Sequence, residues 1–158
     1  MNRPATMEDL AERLPARARL IGVDLGTKTI GLAISDLERR LASPLKTLPR
    51  GQFRKDADAL AAIFSKYEIA GVIFGLPLQL DGRDGPRAQS TRAFVRNLST
   101  HSDLPIAFWD ERFTTAVVTR ALIANDVSRA RRAQVVDKMA AAYILQGALD
   151  RLAGLRRE

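Results

Sequence analysis

The 158-residue sequence has no cysteine, a single histidine and a single tryptophan. Without cysteine there are no disulfides, thiolate metal sites or thiol nucleophiles, and nothing marks a secreted, disulfide-stapled chain. A cytoplasmic protein is the simpler expectation. His101 stands between Thr100 and Ser102 in a polar stretch, and neither a Ser-His-Asp triad nor an HExxH zinc motif can be built around it. Long hydrophobic runs are missing as well: the apolar stretches 69–78 and 139–145 fall far short of the roughly 18 residues that span a bilayer. No membrane partner is expected. Residues 1–18 carry Glu8, Asp9, Glu12 and Pro15 where a secretory signal needs an unbroken apolar centre. They read as a flexible N-terminal extension to a domain at 19–153, with 154–158 as a C-terminal tail.

What is present is an ordinary globular composition, 46% hydrophobic and 27% charged, sufficient for one domain with its own core. The formal charge is +7, and the 25 basic residues are overwhelmingly arginine. Guanidinium pairs bidentately with phosphate, so this balance suits a nucleic acid. Charge alone does not separate that reading from a solvated surface.

Two short apolar runs joined by Gly26-Thr27-Lys28 predict a hairpin with strands at 19–24 and 29–35. A proline-flanked run at 43–49 predicts a third strand near a sheet edge. Over 52–67, Phe53, Ala57, Leu60, Phe64 and Tyr67 recur at helical spacing. The continuous apolar run 71–75 then predicts a strand covered on both faces, as parallel strands between helices are. A Pro-, Asp- and Gly-rich loop at 76–85 leads to a predicted helix at 86–97, a strand at 106–110, a helix at 115–124 capped by Thr114, and a last helix at 133–152. The order is α/β: a mixed five-stranded sheet, three antiparallel strands and then two parallel, flanked by helices.

Three acidic positions stand out. Asp24 ends the first strand among Gly22, Gly26 and Gly31, where the backbone is open to close approach and Thr27, Lys28 and Thr29 can donate to a phosphate. A turn-capping Asp is the plainer alternative. Asp110 and Glu111 end another strand, and because adjacent strand residues face opposite sides, only one of them can share a site with Asp24. The plainer alternative has both exposed, with Arg112 as an ion-pair partner. Asp137 lies on one stripe with Ala133, Ala141, Ile144 and Ala148 of a nearly apolar helix. A carboxylate on such a face needs a cation or donors, unless it serves only the helix dipole.

Three converging carboxylates repel one another unless cations neutralise them, and oxygen ligands without cysteine point to Mg²⁺ or Mn²⁺. Such sites hydrolyse phosphodiesters. Arg83, Arg87, Arg92 and Arg96, spaced along one helix and the loop before it, would then form a phosphate-tracking ridge, with Arg129, Arg131, Arg132 and Lys138 as a second cluster. Either group could equally be a solvated face.

These residues carry a resemblance. Gly22-Val23-Asp24-Leu25-Gly26-Thr27-Lys28 followed by Ile30-Gly31-Leu32-Ala33, Gly75-Leu76-Pro77-Leu78 with Asp81-Gly82, Asp110-Glu111-Arg112-Phe113-Thr114-Thr115, and Asp137-Lys138 with Ala140-Ala141 resemble, in this order, the YqgF/RuvX family of bacterial nucleases. That family is a branch of the ribonuclease H-like superfamily. The resemblance covers roughly 20–148 and departs at Thr29, where the family more often has Arg. It implies a ribonuclease H-like fold and a divalent-metal nuclease site of Asp24, Glu111 and Asp137, with Glu111 favoured over Asp110. The candidate substrate contacts are Lys28, Arg87, Arg92, Arg112, Thr114, Thr115, Arg132 and Lys138. The family is associated with the 5′ end of small-subunit ribosomal RNA precursors, the first expectation, and with four-way DNA junctions, the second. Cutting a junction symmetrically would call for a homodimer.

Two readings from other classes stand beside this one. Asp24-Leu25-Gly26-Thr27 also looks like the first phosphate loop of sugar kinases, actin and heat-shock ATPases, but those clasp ATP between two such domains and this chain has room for one. A non-catalytic RNA-binding assembly module would need none of the three carboxylates.

Overall fold

Strand alternation sorts the core into two layers. The computed structural model describes residues 3–113 and 129–157, and over 129–137 and at 157 it describes the helix backbone alone. Its elements run α1 (Met7–Arg13), β1 (Arg19–Leu25), β2 (Thr29–Ser35), β3 (Ala42–Pro49), α2 (Phe53–Lys66), β4 (Ile69–Leu76), α3 (Pro86–Leu98), β5 (Ile106–Asp110), a 3₁₀ turn (Glu111–Phe113) and α4 (Arg129–Arg157). The sheet order is β3-β2-β1-β4-β5, antiparallel from β3 to β1 and parallel from β1 to β5. This is the mixed sheet expected from the sequence. The helix expected at 115–124 lies outside the described residues.

One set of strand residues, Ile21, Val23, Ile30, Leu32, Val72, Phe74 and Ile106, packs against Leu60 and Phe64 of α2 and Phe94, Val95 and Leu98 of α3. The alternate set, Leu20, Ala33, Ile73 and Ala107, packs against Ile144, Leu145, Leu149 and Leu152 of α4 and Leu10 of α1. Side chains alternate across a strand with period two, so the two helical layers lie on opposite faces. A Cβ at Gly22 would stand 2.7 Å from Leu145 Cβ and 2.9 Å from the Ala141 carbonyl. The missing side chain lets the α4 backbone lie directly on β1.

The direction of α4 matters for the site. Its C-terminal half reaches the β2–β3 turn, where Gln146 accepts from the Ala42 amide at 2.8 Å and donates to the Arg40 carbonyl at 3.0 Å. That turn lies beside the start of β1, since the Ala18 amide donates to the Leu37 carbonyl. The helix therefore runs antiparallel to β1, and its N-terminal half points toward the end of β1 that carries Asp24.

Residues 1–18 were expected to form a flexible extension; among the described ones, 3–18, a short helix packs on the domain instead. Thr6 and Asp9 make a reciprocal capping box at α1, each side chain accepting the other residue's amide at 3.0 Å. The Ala5 amide donates to the Ile106 carbonyl at 2.7 Å, adding a parallel bridge to the free edge of β5. Leu10 is wholly buried against the α4 face of the sheet. At the other end, α4 continues through most of the expected tail, with Leu155 packed on the same core. The opposite sheet edge, β3, carries Pro44 and Pro49. No helix among the described residues is long and apolar enough to cross a membrane.

Because Leu10 fills core space, Leu10→Ala is expected to destabilise the domain by about 3 kcal/mol. In a thermal melt that is a fall of roughly 6–12 °C; an unchanged melting temperature would mean that α1 is detached in solution.

Candidate active site

The three parallel strands β1, β4 and β5 finish at the same end of the sheet, with Val23 beside Phe74 and Gly75 beside Trp109. Continuing that register puts Asp24 next to Gly75. Asp24, paired across β2 with Gly31, is 2% exposed. It belongs to the same alternate set as Leu20 and Gly22, and so to the α4 face. Glu111, the first residue of the 3₁₀ turn after β5, is 3% exposed. A Cβ placed at Gly75 would come within 3.2 Å of Glu111 Cγ and would also collide with Ile144 of α4. Gly75 thus leaves room for Ile144 of α4 and for Glu111 to pack against β4, with Asp24 its neighbour on β1 by register.

Asp110 and Glu111 take opposite roles, as alternation requires. The Asp110 carboxylate caps the 3₁₀ turn by accepting the Arg112 amide at 3.0 Å. It also binds the Arg112 guanidinium side-on, with Nη2 at 2.6 Å and Nε at 3.0 Å from Oδ2. These hydrogen bonds from Arg112 hold the Asp110 carboxyl below its ordinary value, outweighing the opposing effect of burial. Arg112, expected among the substrate contacts, also donates to the Leu80 carbonyl at 3.2 Å. It lies against Gly82, whose φ of +88° closes the tip of the 76–85 loop. In this geometry its guanidinium ties that loop to the end of β5.

The third acidic candidate, Asp137, has its side chain outside the described residues. Its helix position is one turn before Ala141, whose carbonyl lies over Gly22. The α4 backbone therefore carries position 137 toward the Asp24 end of the sheet. Among the described residues no three acidic or histidine side chains converge as a metal-holding group.

The basic candidates divide. Lys28 is exposed on the β1–β2 turn, and Lys138 is half-buried on α4. Arg87 and Arg92 belong to α3, which packs on the face opposite α4. They therefore lie on the other side of the sheet from Asp24. Arg87 is exposed. Arg92 binds Asp84 through Nε at 2.6 Å and lies 5.3 Å from the Phe108 ring centroid. The side chain of Arg132, and Thr114 and Thr115 entirely, lie outside the described residues. Sequence reasoning passed over Arg50, which donates to the Gly26 carbonyl at 2.7 Å and to Ser90 Oγ at 3.3 Å. It ties the turn after Asp24 to α3. Its placement directly after the proline-bounded β3 was the only available signal.

Two buried carboxylates at strand ends on either side of β4 have the oxygen chemistry that a hard divalent cation takes, and the sequence has no cysteine for a softer thiolate site.

A family model described as "RuvX: Holliday junction resolvase" matches residues 18–151. A protein of Methylocella silvestris, named as a candidate pre-16S rRNA nuclease, is 61% identical over 144 residues, covering 91% of this chain and 89% of its own. A Beijerinckia indica protein of the same name is 59% identical over 145 residues, 92% and 88% of the two chains. Among solved structures, Thermus thermophilus RuvC in complex with a Holliday junction substrate superposes with a TM-score of 0.55 at 11% identity, covering 87% of this chain and 96% of that one. The yeast mitochondrial Holliday junction resolvase Ydc2 gives 0.51 at 12% identity, covering 96% and 86%. At such identities the superpositions show the fold, which is the ribonuclease H-like one expected.

The Asp110–Arg112 pair predicts a pH signature. A depressed carboxyl contributes stability in full above its unfolded value and loses it as the pH falls through the lower folded value. The melting temperature of the native chain should exceed that of Asp110→Asn at pH 6–7, and the gap should close on acidification below about pH 4. A gap that widens with acid would contradict the assignment.

Proposed function

We infer from the RuvX family, to which this chain belongs, that it is a nuclease hydrolysing phosphodiester bonds, and that its substrate is the 5′ region of the 16S ribosomal RNA precursor. The observation that carries the reading is the buried placement of Asp24 and Glu111 at the ends of strands flanking Gly75, beneath α4. Buried carboxylates at parallel strand ends are characteristic of catalytic sites. The rRNA substrate is supported by relatives at about 60% identity that carry that name.

Asp24, Glu111 and Asp137 would hold Mg²⁺ or Mn²⁺. When bound, a divalent ion supplies charge neutralisation at the scissile phosphate and an activated water. The chain's own residues do the rest. Gly75 and Gly22 carry no side chain, so that α4 packs directly on the strands that bear the two carboxylates. Arg112 anchors the 76–85 loop beside the 3₁₀ turn and so fixes the backbone from which Glu111 projects. Lys28 and Lys138 supply positive charge near the Asp24 end and the α4 side for the phosphates flanking the cut. A ribosomal precursor as substrate places the activity in the cytoplasm.

The second reading, resolution of a four-way DNA junction, draws on the description of the family model and would require a homodimer with two sites. Labelled precursor rRNA and a four-way DNA junction, incubated side by side with Mg²⁺, Mn²⁺ or EDTA, separate the two. Metal-dependent cutting of the rRNA near its 5′ end is expected; paired symmetrical nicks in the junction alone would favour the alternative. Absence of any metal-dependent cutting would remove the enzyme reading.

Asp24→Asn and Glu111→Gln are each expected to lower the cleavage rate at least about 100-fold. In EDTA their melting temperatures should stay close to that of the native chain, because each substitution keeps the shape of the side chain and removes only its charge. Variants that melt well below it would show that the carboxylates serve the fold.

A further inference from the structure

At the end of the sheet opposite Asp24 and Glu111, the β2–β3 turn and the last turns of α4 enclose a cleft of about 330 Å³ lined by Glu38, Arg39, Arg40, Asp150, Ala153 and Arg156. Arg39 anchors it. This residue is 6% exposed and has a backbone φ of +54°, the left-handed region that an arginine seldom enters. Its Nη1 donates to the Ala18 carbonyl at 2.9 Å. Its Nε is buried with no hydrogen-bond partner. A guanidinium has five N–H groups to satisfy, and one buried without a counter-charge is strongly unfavourable.

The neighbouring acids are engaged elsewhere. Glu38 pairs with Arg17 at 3.3 Å, Asp36 accepts the Arg40 and Leu41 amides, and Asp150 accepts from Gln146. Among the described residues no carboxylate lies within ion-pair distance of Arg39, Arg40 or Arg156. Burial first and the like charge of Arg156 second push Arg39 below the ordinary guanidinium range, against an opposing effect of Glu38 and Asp36. Three guanidiniums meet only two carboxylates, Glu38 and Asp150, around this cleft, which leaves an excess of positive charge and a buried Nε short of an acceptor. A tetrahedral phosphoryl group offers several acceptor oxygens to such forks at once.

We propose that this cleft is a second anion site, distinct from the carboxylate site, which binds a phosphoryl group through Arg39, Arg40 and Arg156. The group is either free phosphate or a backbone phosphate of the nucleic acid, and the second source rests on the nuclease reading. With β1 between them, about 20 Å at ~3.3 Å per residue, the two sites would hold different stretches of one substrate.

The test uses the full chain and inorganic phosphate, at an ionic strength held constant with chloride, read by titration calorimetry and by the melting temperature. Saturable binding with a rise in melting temperature is expected. The double variant Arg40→Ala/Arg156→Ala, which leaves the core untouched, should weaken phosphate at least ten-fold, and Arg39→Met should abolish it. Should Arg39→Met not fold, the double variant decides. Unsaturable binding, or equal affinity in the native chain and the double variant, overturns the proposal. Duplex RNA then identifies the source: a salt slope shallower by about one to two in the double variant puts backbone phosphate in the cleft. Unchanged RNA binding beside weakened phosphate binding makes the ligand free phosphate. Each readout is binding without cleavage, so an inactive enzyme would sink the nuclease reading and leave this one standing.

Discussion

The structure depends on the close approach of α4 to the sheet across residues with little or no side chain. Gly22 permits the Ala141 carbonyl to rest on β1, Gly75 leaves space for Ile144 and Glu111, and Gly147 lies against the Trp109 ring. Ala141, Ala148 and their neighbours keep the helix side of the contact equally small. In a close-packed interior each such gap is filled from the opposite side, so removing one would displace the helix as a unit. The site inherits its geometry from this contact. The helix that brings position 137 toward Asp24 is the same helix whose far end seals the core against α1.

The division of labour between Asp110 and Glu111 follows from strand pleating rather than from any difference between the residue types. Adjacent residues at a strand end must diverge, and the one turned outward met Arg112 while the one turned inward met α4. The outward member is still close to the chemistry, because its guanidinium partner holds the loop that follows β4. A surface ion pair contributes little by itself. This one has a further role, since Arg112 joins the end of β5 to the loop that follows β4.

Much of this was legible in the residue pattern. The glycine-bounded hairpin, the doubly covered run at 71–75 and the two strand ends bearing Asp24 and Asp110-Glu111 all follow from period-two and period-3.6 spacing, and those signals are local. What was not legible is long-range. The spacing of Arg83, Arg87, Arg92 and Arg96 describes a helix face, yet nothing in it says which side of the sheet that helix covers, or that Asp84 would claim Arg92. The short helix α1 was missed because its capping box lies within a charged segment, and only tertiary burial of Leu10 makes it part of the domain. Arg39 likewise reads as one more surface arginine until the turn is seen to fold it inward.

The two margins of the sheet carry a consequence for assembly. On one side β3 carries Pro44 and Pro49, which offer no N–H to an incoming strand. On the other, the Ala5 bridge occupies part of the backbone of β5 that an incoming strand would need. Among the described residues, both margins are thus poor templates for extending the sheet from one copy into the next, and an association of two copies is better served by helical surfaces or loops.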